Sequence, residues 1–136
     1  MDGSIPFKVY SADDMTKPTE KPLHWVGRAK RNLLTFPEQV VDDIGYALSV
    51  VQFGGMPPQT KSWKGEGPGV FEIVEDHRGD TYRAVYTVRF TRAVYALHCF
   101  QKKSPSGIRT ARDDVRLIHD RLRAAQDDYE VRYGRK

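Results

Sequence analysis

The sequence predicts a single α+β domain, in which an N-terminal helical hairpin packs on an antiparallel sheet of three to four strands and a further helix closes the chain. Three observations predict this arrangement. The length of 136 residues suits one hydrophobic core. Apolar residues recur every three or four positions across 38–51, and three segments rich in Val, Ile, Tyr and Phe follow one another between 69 and 101.

The first 22 residues are expected to form an arm outside the domain, which then spans residues 23–136. This arm, residues 1–22, combines Gly, Pro, Ser, Thr and charged residues with one short apolar run, Ile5 to Tyr10. The alternative is that the run adds an edge strand to the sheet or docks on a partner.

The helical hairpin is predicted upstream of the sheet. Leu23 to Val26 forms a short first strand, and the RAKRNLL segment after it is a basic turn of helix. A clearer helix begins at Pro37, a residue favoured at the first helical position, and ends at Gly54. The apolar side of this helix requires a sheet to cover it.

The sheet is predicted from strands at Gly69 to Glu75, Thr81 to Phe90 and Ala93 to Gln101, which short turns join into an antiparallel meander. The Pro-, Gly- and Lys-rich stretch Met56 to Pro68 is expected to be a loop. Thr110 can cap the last helix. We expect the helices on one face of the sheet, which leaves the opposite, basic face available for a ligand.

Basic residues are concentrated in one part of the chain. The net charge is +4, but residues 81–112 contain seven basic residues and no acidic one. Such a run repels itself unless it faces a polyanion, so nucleic acid is the expected class of partner. The alternative is a solvated face whose charge is balanced in space by acidic residues of neighbouring segments.

The cellular compartment is predicted from three features. No segment is apolar enough to cross a bilayer, and the N-terminus carries acidic residues where a secretory signal has a basic start. The single cysteine, Cys99, lies in an apolar strand pattern, which fits a buried thiol in a reducing compartment. We therefore expect a cytoplasmic protein that does not interact with membranes.

Three strand motifs follow one another in residues 67–115: Gly-Val-aromatic-Glu-Ile, Tyr-Arg-x-Val-Tyr and His-x-Phe-x-Lys-Lys. The segments KPLHWVG, FPEQVVDDIGYAL and QFGG precede them. In combination these motifs resemble the phage-derived Gp49-like branch of the RelE/HigB/ParE toxin superfamily, and the likeness covers roughly residues 21–129.

The resemblance implies a RelE-like fold, in which a helical hairpin packs on a strongly curved antiparallel sheet. It also implies a toxin that enters the ribosomal A site and cuts the exposed codon of the mRNA. In that family the 2′-hydroxyl of the RNA attacks the adjacent phosphate, so no metal and no cofactor is expected. The implied partners are the ribosome with its mRNA and a cognate antitoxin, often a helix-turn-helix protein encoded beside the toxin.

The residues expected to carry this chemistry are Arg83, His98, Lys102 and Lys103. In-line attack builds charge on a pentacoordinate phosphate, and cations that are fixed before the reaction lower its barrier most. Arg83 lies in mid-strand on the polar face, and a guanidinium suits phosphate oxygens. The two lysines match the family's motif at a strand end. His98 is a candidate general base or acid, with a hydrogen-bonded structural histidine as the alternative.

The residues expected to bind RNA outside the catalytic group are Lys61, Lys64, Arg89, Arg109 and Arg112. Two of these lysines flank Trp63, whose indole either stacks on a base or anchors the core.

The chain departs from the best-studied RelE pattern on one strand. Glu72 and Glu75 stand where those toxins carry basic residues. Glu72 is therefore either a base or the partner of Arg83 in an ion pair across neighbouring strands. Two other functions remain open: a ParE-like inhibitor of DNA gyrase, which shares the fold without the nuclease residues, and a non-catalytic member of a toxin–antitoxin complex.

Overall fold

The computed structural model describes residues 19–102 and 108–134, with side chains from 112 onward in the second stretch. The expected arm therefore lies almost wholly outside the described residues, as do Lys103 and the side chain of Arg109. The elements follow in the order β1 Leu23–Trp25, α1 Ala29–Leu33, α2 Glu38–Gln52, β2 Thr60–Ser62, β3 Val70–His77, β4 Asp80–Thr87, β5 Val94–Lys102 and α3 Ile108–Tyr133. None of the described helices is both long enough and apolar enough to cross a membrane.

The predicted helical hairpin is confirmed and consists of α1 and α2. The apolar periodicity of α2 buries one side of the helix, at Val40, Ile44, Ala47, Leu48 and Val51. This side packs on Ile73, Ala84 and Tyr86 of the sheet and forms the first core cluster. The sequence pattern alone was sufficient to predict this layer.

The sheet has five strands in the order β1-β5-β4-β3-β2. The predicted meander of β3, β4 and β5 is antiparallel, whereas β1 pairs in parallel with β5. Short β2 lies inside the segment that was expected to be a loop, and pairs with β3 at Thr60 and Ile73. The α+β class is therefore correct, but the expected count of three to four antiparallel strands is too low. The three residues of β2 carry no apolar alternation that would have indicated a strand.

The helices do not lie on one face of the sheet, and the expectation that they would is wrong. Helix α3 covers the face opposite the hairpin and buries Ile118, Leu122, Ala125 and Tyr129 in a second core cluster. Alternation along β3 and β4 sends Val70 and Val85 to this face, together with the charged residues. The apolar residues of this face must be covered by a helix. The charged residues that alternate on the same face made it look solvent-exposed in the sequence.

A β-bulge in β5 changes which residues share a face. Val85 pairs with His98 and Tyr86 pairs with Ala96, so Leu97 is an extra residue in β5. As a result Leu97 packs under α3, and Cys99 packs under the hairpin. Strict alternation along β5 would place both side chains on the same face.

The tight hairpin between β3 and β4 was predicted from the sequence and is confirmed. Arg78 and Gly79 connect the paired residues His77 and Asp80, and both have positive φ angles, 51° and 86°. Two consecutive residues in this conformation match the right-handed twist of the strands that they join.

Candidate nucleic-acid interface

The register of the strands brings most of the predicted site residues onto one surface, the side of the sheet that faces α3. We call this surface the α3 face. Lys61 lies opposite Glu72, Arg83 lies opposite Phe100, and Lys102 lies opposite Thr81. His98, two residues before Phe100, lies on the same side, and their rings stack at 4.9 Å. Residues that are far apart in the sequence therefore share one surface.

The α3 face is strongly curved. Trp63 follows β2 at one edge of the sheet, and Phe100 lies on β5, which is separated from β2 by β3 and β4. The two rings nevertheless meet edge to face, with centroids 6.4 Å apart. Such a contact requires the sheet to curl toward α3, as bulged and twisted sheets do.

Arg83 forms an ion pair with Glu72. Nη1 of Arg83 donates to Oε1 of Glu72 at 2.7 Å, and the two side chains are 18% and 9% exposed. Glu72 is therefore engaged as the partner of an arginine, the second of the two roles that its sequence position allowed. Buried Nε of Arg83 has no acceptor among the described residues.

His98 has both ring nitrogens engaged. Nε2 lies 2.9 Å from Oδ1 of Asp114, and Nδ1 lies 3.4 Å from Nη1 of Arg121. Because a guanidinium only donates, Nδ1 accepts and Nε2 carries the proton that it donates to Asp114. Burial lowers the pKa of His98 although Asp114 acts to raise it, so the ring is neutral. This geometry makes His98 a connection between the sheet and α3.

Lys102 ends β5 on the α3 face with an exposed side chain. Lys61, Lys64 and Arg112 are also exposed. These four cations are available to a solvent-borne anion. Lys103 and the side chain of Arg109, which the sequence assigned to the same task, lie outside the described part of the chain.

Arg89 is occupied by the loop that precedes β3. Its Nε and Nη2 donate to the carbonyl oxygen of Pro68 at 3.2 and 3.0 Å, and Nη2 also donates to the carbonyl of Glu66. A Cβ at Gly69, where φ is +86°, would lie 3.2 Å from Cα of Arg89. In this structure Arg89 holds the loop in place and so positions Trp63.

The polar residues of α3 that hold the helix on the sheet were not among those predicted from the sequence. Asp114 and Arg121 contact His98, and Arg121 also donates to the carbonyl of Leu97 at 2.9 Å. His119 lies 3.1 Å from Glu66 of the loop. Asp114 and Arg121 are seven residues apart, which is two helical turns, so they lie on the same side of α3 beside its apolar stripe. This spacing is the sequence feature that could have indicated their contact with the sheet.

Two further features of the described residues concern possible metal ligands and the single cysteine. Within 19–102 and 112–134 no group of His, Cys, Asp and Glu side chains could hold a metal ion. Burial raises the pKa of Cys99 to about 12, so its thiol is not a nucleophile at neutral pH. The predicted burial of Cys99 is confirmed.

Known proteins that are similar to the chain include a family of phage-derived proteins and two solved structures. No protein with a curated description matches the chain. The free toxin RelE of E. coli, in a double arginine mutant, is similar over 64% of this chain and 88% of its own, with 19% identity and a TM-score of 0.47. The toxin–antitoxin complex RelBE2 of Mycobacterium tuberculosis is similar over 61% of this chain and 99% of the matched chain, with 20% identity and a TM-score of 0.43. The profile of phage-derived Gp49-like proteins matches residues 31–123, more than half of the sequence. The chain belongs to this Gp49-like family, as its strand motifs predicted.

Proposed function

We propose that this protein is the toxin of a toxin–antitoxin pair and a ribosome-dependent endoribonuclease acting on mRNA in the cytoplasm. One observation carries the proposal. Arg83, Lys102 and Lys61, which come from three different strands, lie on the same curved face together with Trp63 and Phe100. Cations interleaved with aromatic rings are the usual way in which proteins hold single-stranded nucleic acid.

The proposed reaction is attack of a ribose 2′-hydroxyl on the adjacent phosphate, which needs no metal. The new O2′–P bond closes a 2′,3′-cyclic phosphate as the P–O5′ bond breaks, and the 2′-oxygen loses its proton to water while the leaving 5′-oxygen takes one from water. Charge accumulates on the non-bridging oxygens, and Arg83 and Lys102 would stabilise it, with Lys103 next to Lys102 in sequence. Glu72 fixes one side of the Arg83 guanidinium before RNA arrives, so little reorganisation remains for the reaction. His98 would contribute by holding α3 rather than by transferring a proton, because both its nitrogens are engaged.

RNA docking is assigned to the exposed cations around this centre. Lys61 and Lys64 flank Trp63, and Arg112 lies in the first turns of α3, with Arg109 one turn earlier. Contacts of this kind to phosphates set affinity and its dependence on salt rather than sequence preference. The proposed partners are the ribosome with its mRNA and an antitoxin with a helix-turn-helix fold.

Primer extension on an mRNA that is being translated in a purified system tests the proposal. The wild-type chain should produce cuts at codons in register with the ribosome, and these cuts should persist in EDTA concentrations that ribosomes tolerate. Arg83→Ala should abolish them, and Arg31→Ala, at an exposed position of α1 on the hairpin side of the sheet, should not. Equal cutting by wild type and Arg83→Ala would refute the assignment.

A second candidate function is inhibition of DNA gyrase. It is favoured by the carboxylate of Glu72 on the α3 face, which offsets part of the positive charge that a phosphate would meet at Arg83. Pulse labelling after induction separates the two functions. A selective halt of protein synthesis supports the nuclease, and a halt of DNA synthesis with an SOS response supports the gyrase inhibitor.

A further inference from the structure

Two buried N–H groups on the α3 face have no acceptor among the described residues: Nε1 of Trp63 and Nε of Arg83. Native proteins leave few buried donors unsatisfied, because each has lost its hydrogen bond to water. Both groups neighbour the same ring. Phe100 contacts the indole edge to face and is the cross-strand partner of Arg83. Two such donors beside one ring indicate a place for an acceptor-rich ligand.

The guanidinium of Arg83 has one edge engaged and one edge without a hydrogen-bond acceptor among the described residues. Nη1 donates to Glu72, whereas neither Nε nor Nη2 has a hydrogen bond within the described residues. The edge formed by Nε and Nη2 is the one that grips two oxygens of a phosphate side-on. The pairing with Glu72 therefore orients the arginine without using its anion-binding edge.

Trp63 is fixed in place before any ligand binds. Its backbone N–H donates to the carbonyl of Val70 at 3.0 Å. Arg89 holds the carbonyls of Glu66 and Pro68 in the same loop, and His119 of α3 contacts the carboxylate of Glu66. A rigid indole N–H only donates, so it selects atoms that accept.

We infer that Trp63 is a specificity-determining residue for single-stranded RNA, an inference that rests on the RNA-binding function proposed above. Its indole N–H donates to an acceptor atom on the base beside the phosphate that Arg83 holds. The positions of acceptors differ from base to base, and one fixed donor therefore discriminates among bases. Pairing in a duplex occupies many of these acceptors and stacks the bases away from the protein, so the site takes a single strand.

The chain permits a direct optical test because it contains only two tryptophans. Trp25 packs against the first core cluster, on the opposite side of the sheet. Trp25→Phe therefore leaves Trp63 as the only indole and serves as the matched control for Trp63→Phe. The probes are four homopolymeric single strands with 2′-O-methyl riboses, which retain bases and phosphates but cannot be cut by 2′-hydroxyl attack.

Saturating RNA should change the emission of Trp63 in the Trp25→Phe protein. The ratio of dissociation constants between the weakest and the tightest homopolymer should be about tenfold in the wild type and in Trp25→Phe, and should fall to about twofold in Trp63→Phe. A tryptophan with a purely structural role would weaken binding of all four strands equally and leave this ratio unchanged.

Three results would overturn the inference: an unchanged ratio in Trp63→Phe, an emission of Trp63 that RNA does not alter, or a duplex that binds as tightly as its single strands. These results are distinguishable from those that would refute the proposed nuclease activity. If the wild type cuts mRNA on ribosomes and Trp63→Phe cuts with the same codon preference, the nuclease stands and the role of Trp63 is refuted. If RNA binding shows the expected ratio but no mRNA is cut, the nuclease is refuted and the site stands.

Discussion

His98 and Asp114 join the centre of the sheet to the first turns of α3 through a contact of 2.9 Å between Nε2 and Oδ1. Arg121, two helical turns further on, approaches the other nitrogen of the same ring. One buried imidazole therefore contacts both an acidic and a basic side chain of the helix. The protonation state of this ring determines whether both contacts persist.

We expect the protein to lose stability as the pH falls below about 6.5. Burial lowers the pKa of folded His98 from its ordinary value of 6.5, and burial likewise lowers the pKa of His24. Below pH 6.5 the unfolded chain therefore binds more protons at these histidines than the folded chain does. The contribution to stability is fully present above pH 6.5 and declines as the pH falls through and below that value. Urea denaturation at pH 7.5 and pH 5.5 measures the difference in the free energy of unfolding.

The matched variant for this measurement is His98→Gln, which keeps two polar groups but does not titrate. It should show a smaller loss between the two pH values than the wild type. A loss equal to that of the wild type would mean that other groups cause the acid sensitivity.

Glu72→Ala should lower the free energy of unfolding by about 2–4 kcal/mol, because it leaves the guanidinium of Arg83 largely buried without its partner. The double variant Glu72→Leu with Arg83→Met should lose less, since neither charge then remains. Thermal and urea denaturation of the single and double variants measure both effects. A double variant less stable than Glu72→Ala would show that the ion pair itself contributes net stability.

Gly69→Ala should destabilise the fold more than Gly54→Ala. Both positions have positive φ, +86° and +91°, which costs a residue with a Cβ about 1–2 kcal/mol. Only at Gly69 would the new Cβ also meet the backbone of Arg89, at 3.2 Å, whereas nothing lies within 4 Å at Gly54. Denaturation curves of the two variants isolate the effect of this close approach on the free energy of unfolding. Equal losses of stability would show that the backbone at Arg89 shifts at no energetic cost.

Cys99 should resist alkylation in the native protein at pH 8 and react fully after unfolding. Burial raises the pKa of this thiol to about 12, so almost no thiolate forms and little reagent reaches it. Mass spectrometry after timed exposure to iodoacetamide, with and without urea, measures the difference. Rapid native labelling would indicate frequent opening of the first core cluster.

Local patterns predicted the elements better than their assembly. The spacing of Val40, Ile44 and Val51 predicted α2, and the Arg78-Gly79 turn was apparent in the sequence, because both depend on neighbouring residues. The parallel pairing of β1 with β5 depends on residues far apart in the chain. The bulge at Leu97 has no recognisable pattern in the sequence around it, and it shifts Cys99 to the other face of the sheet.

In the candidate site, too, the positions of residues were predictable from the sequence but their contacts were not. Placing Arg83 and Lys102 on one face required only strand alternation and hairpin pairing, and the structure has them there. The partners of these residues could not be read in the same way. The contacts of His98 come from α3, and those of Arg89 come from a loop, so only the assembled fold reveals that both side chains are already engaged.

The pairing of β1 with β5 has a consequence for synthesis of the chain. Leu23 lies beside Val94, about seventy residues later, and contacts between such distant segments form slowly. While the chain is being translated, the first strand emerges long before its neighbour exists. We expect α1 and α2 to pack together early and the sheet edge to form only after β5 has left the exit tunnel, so the α3 face is assembled late relative to the hairpin.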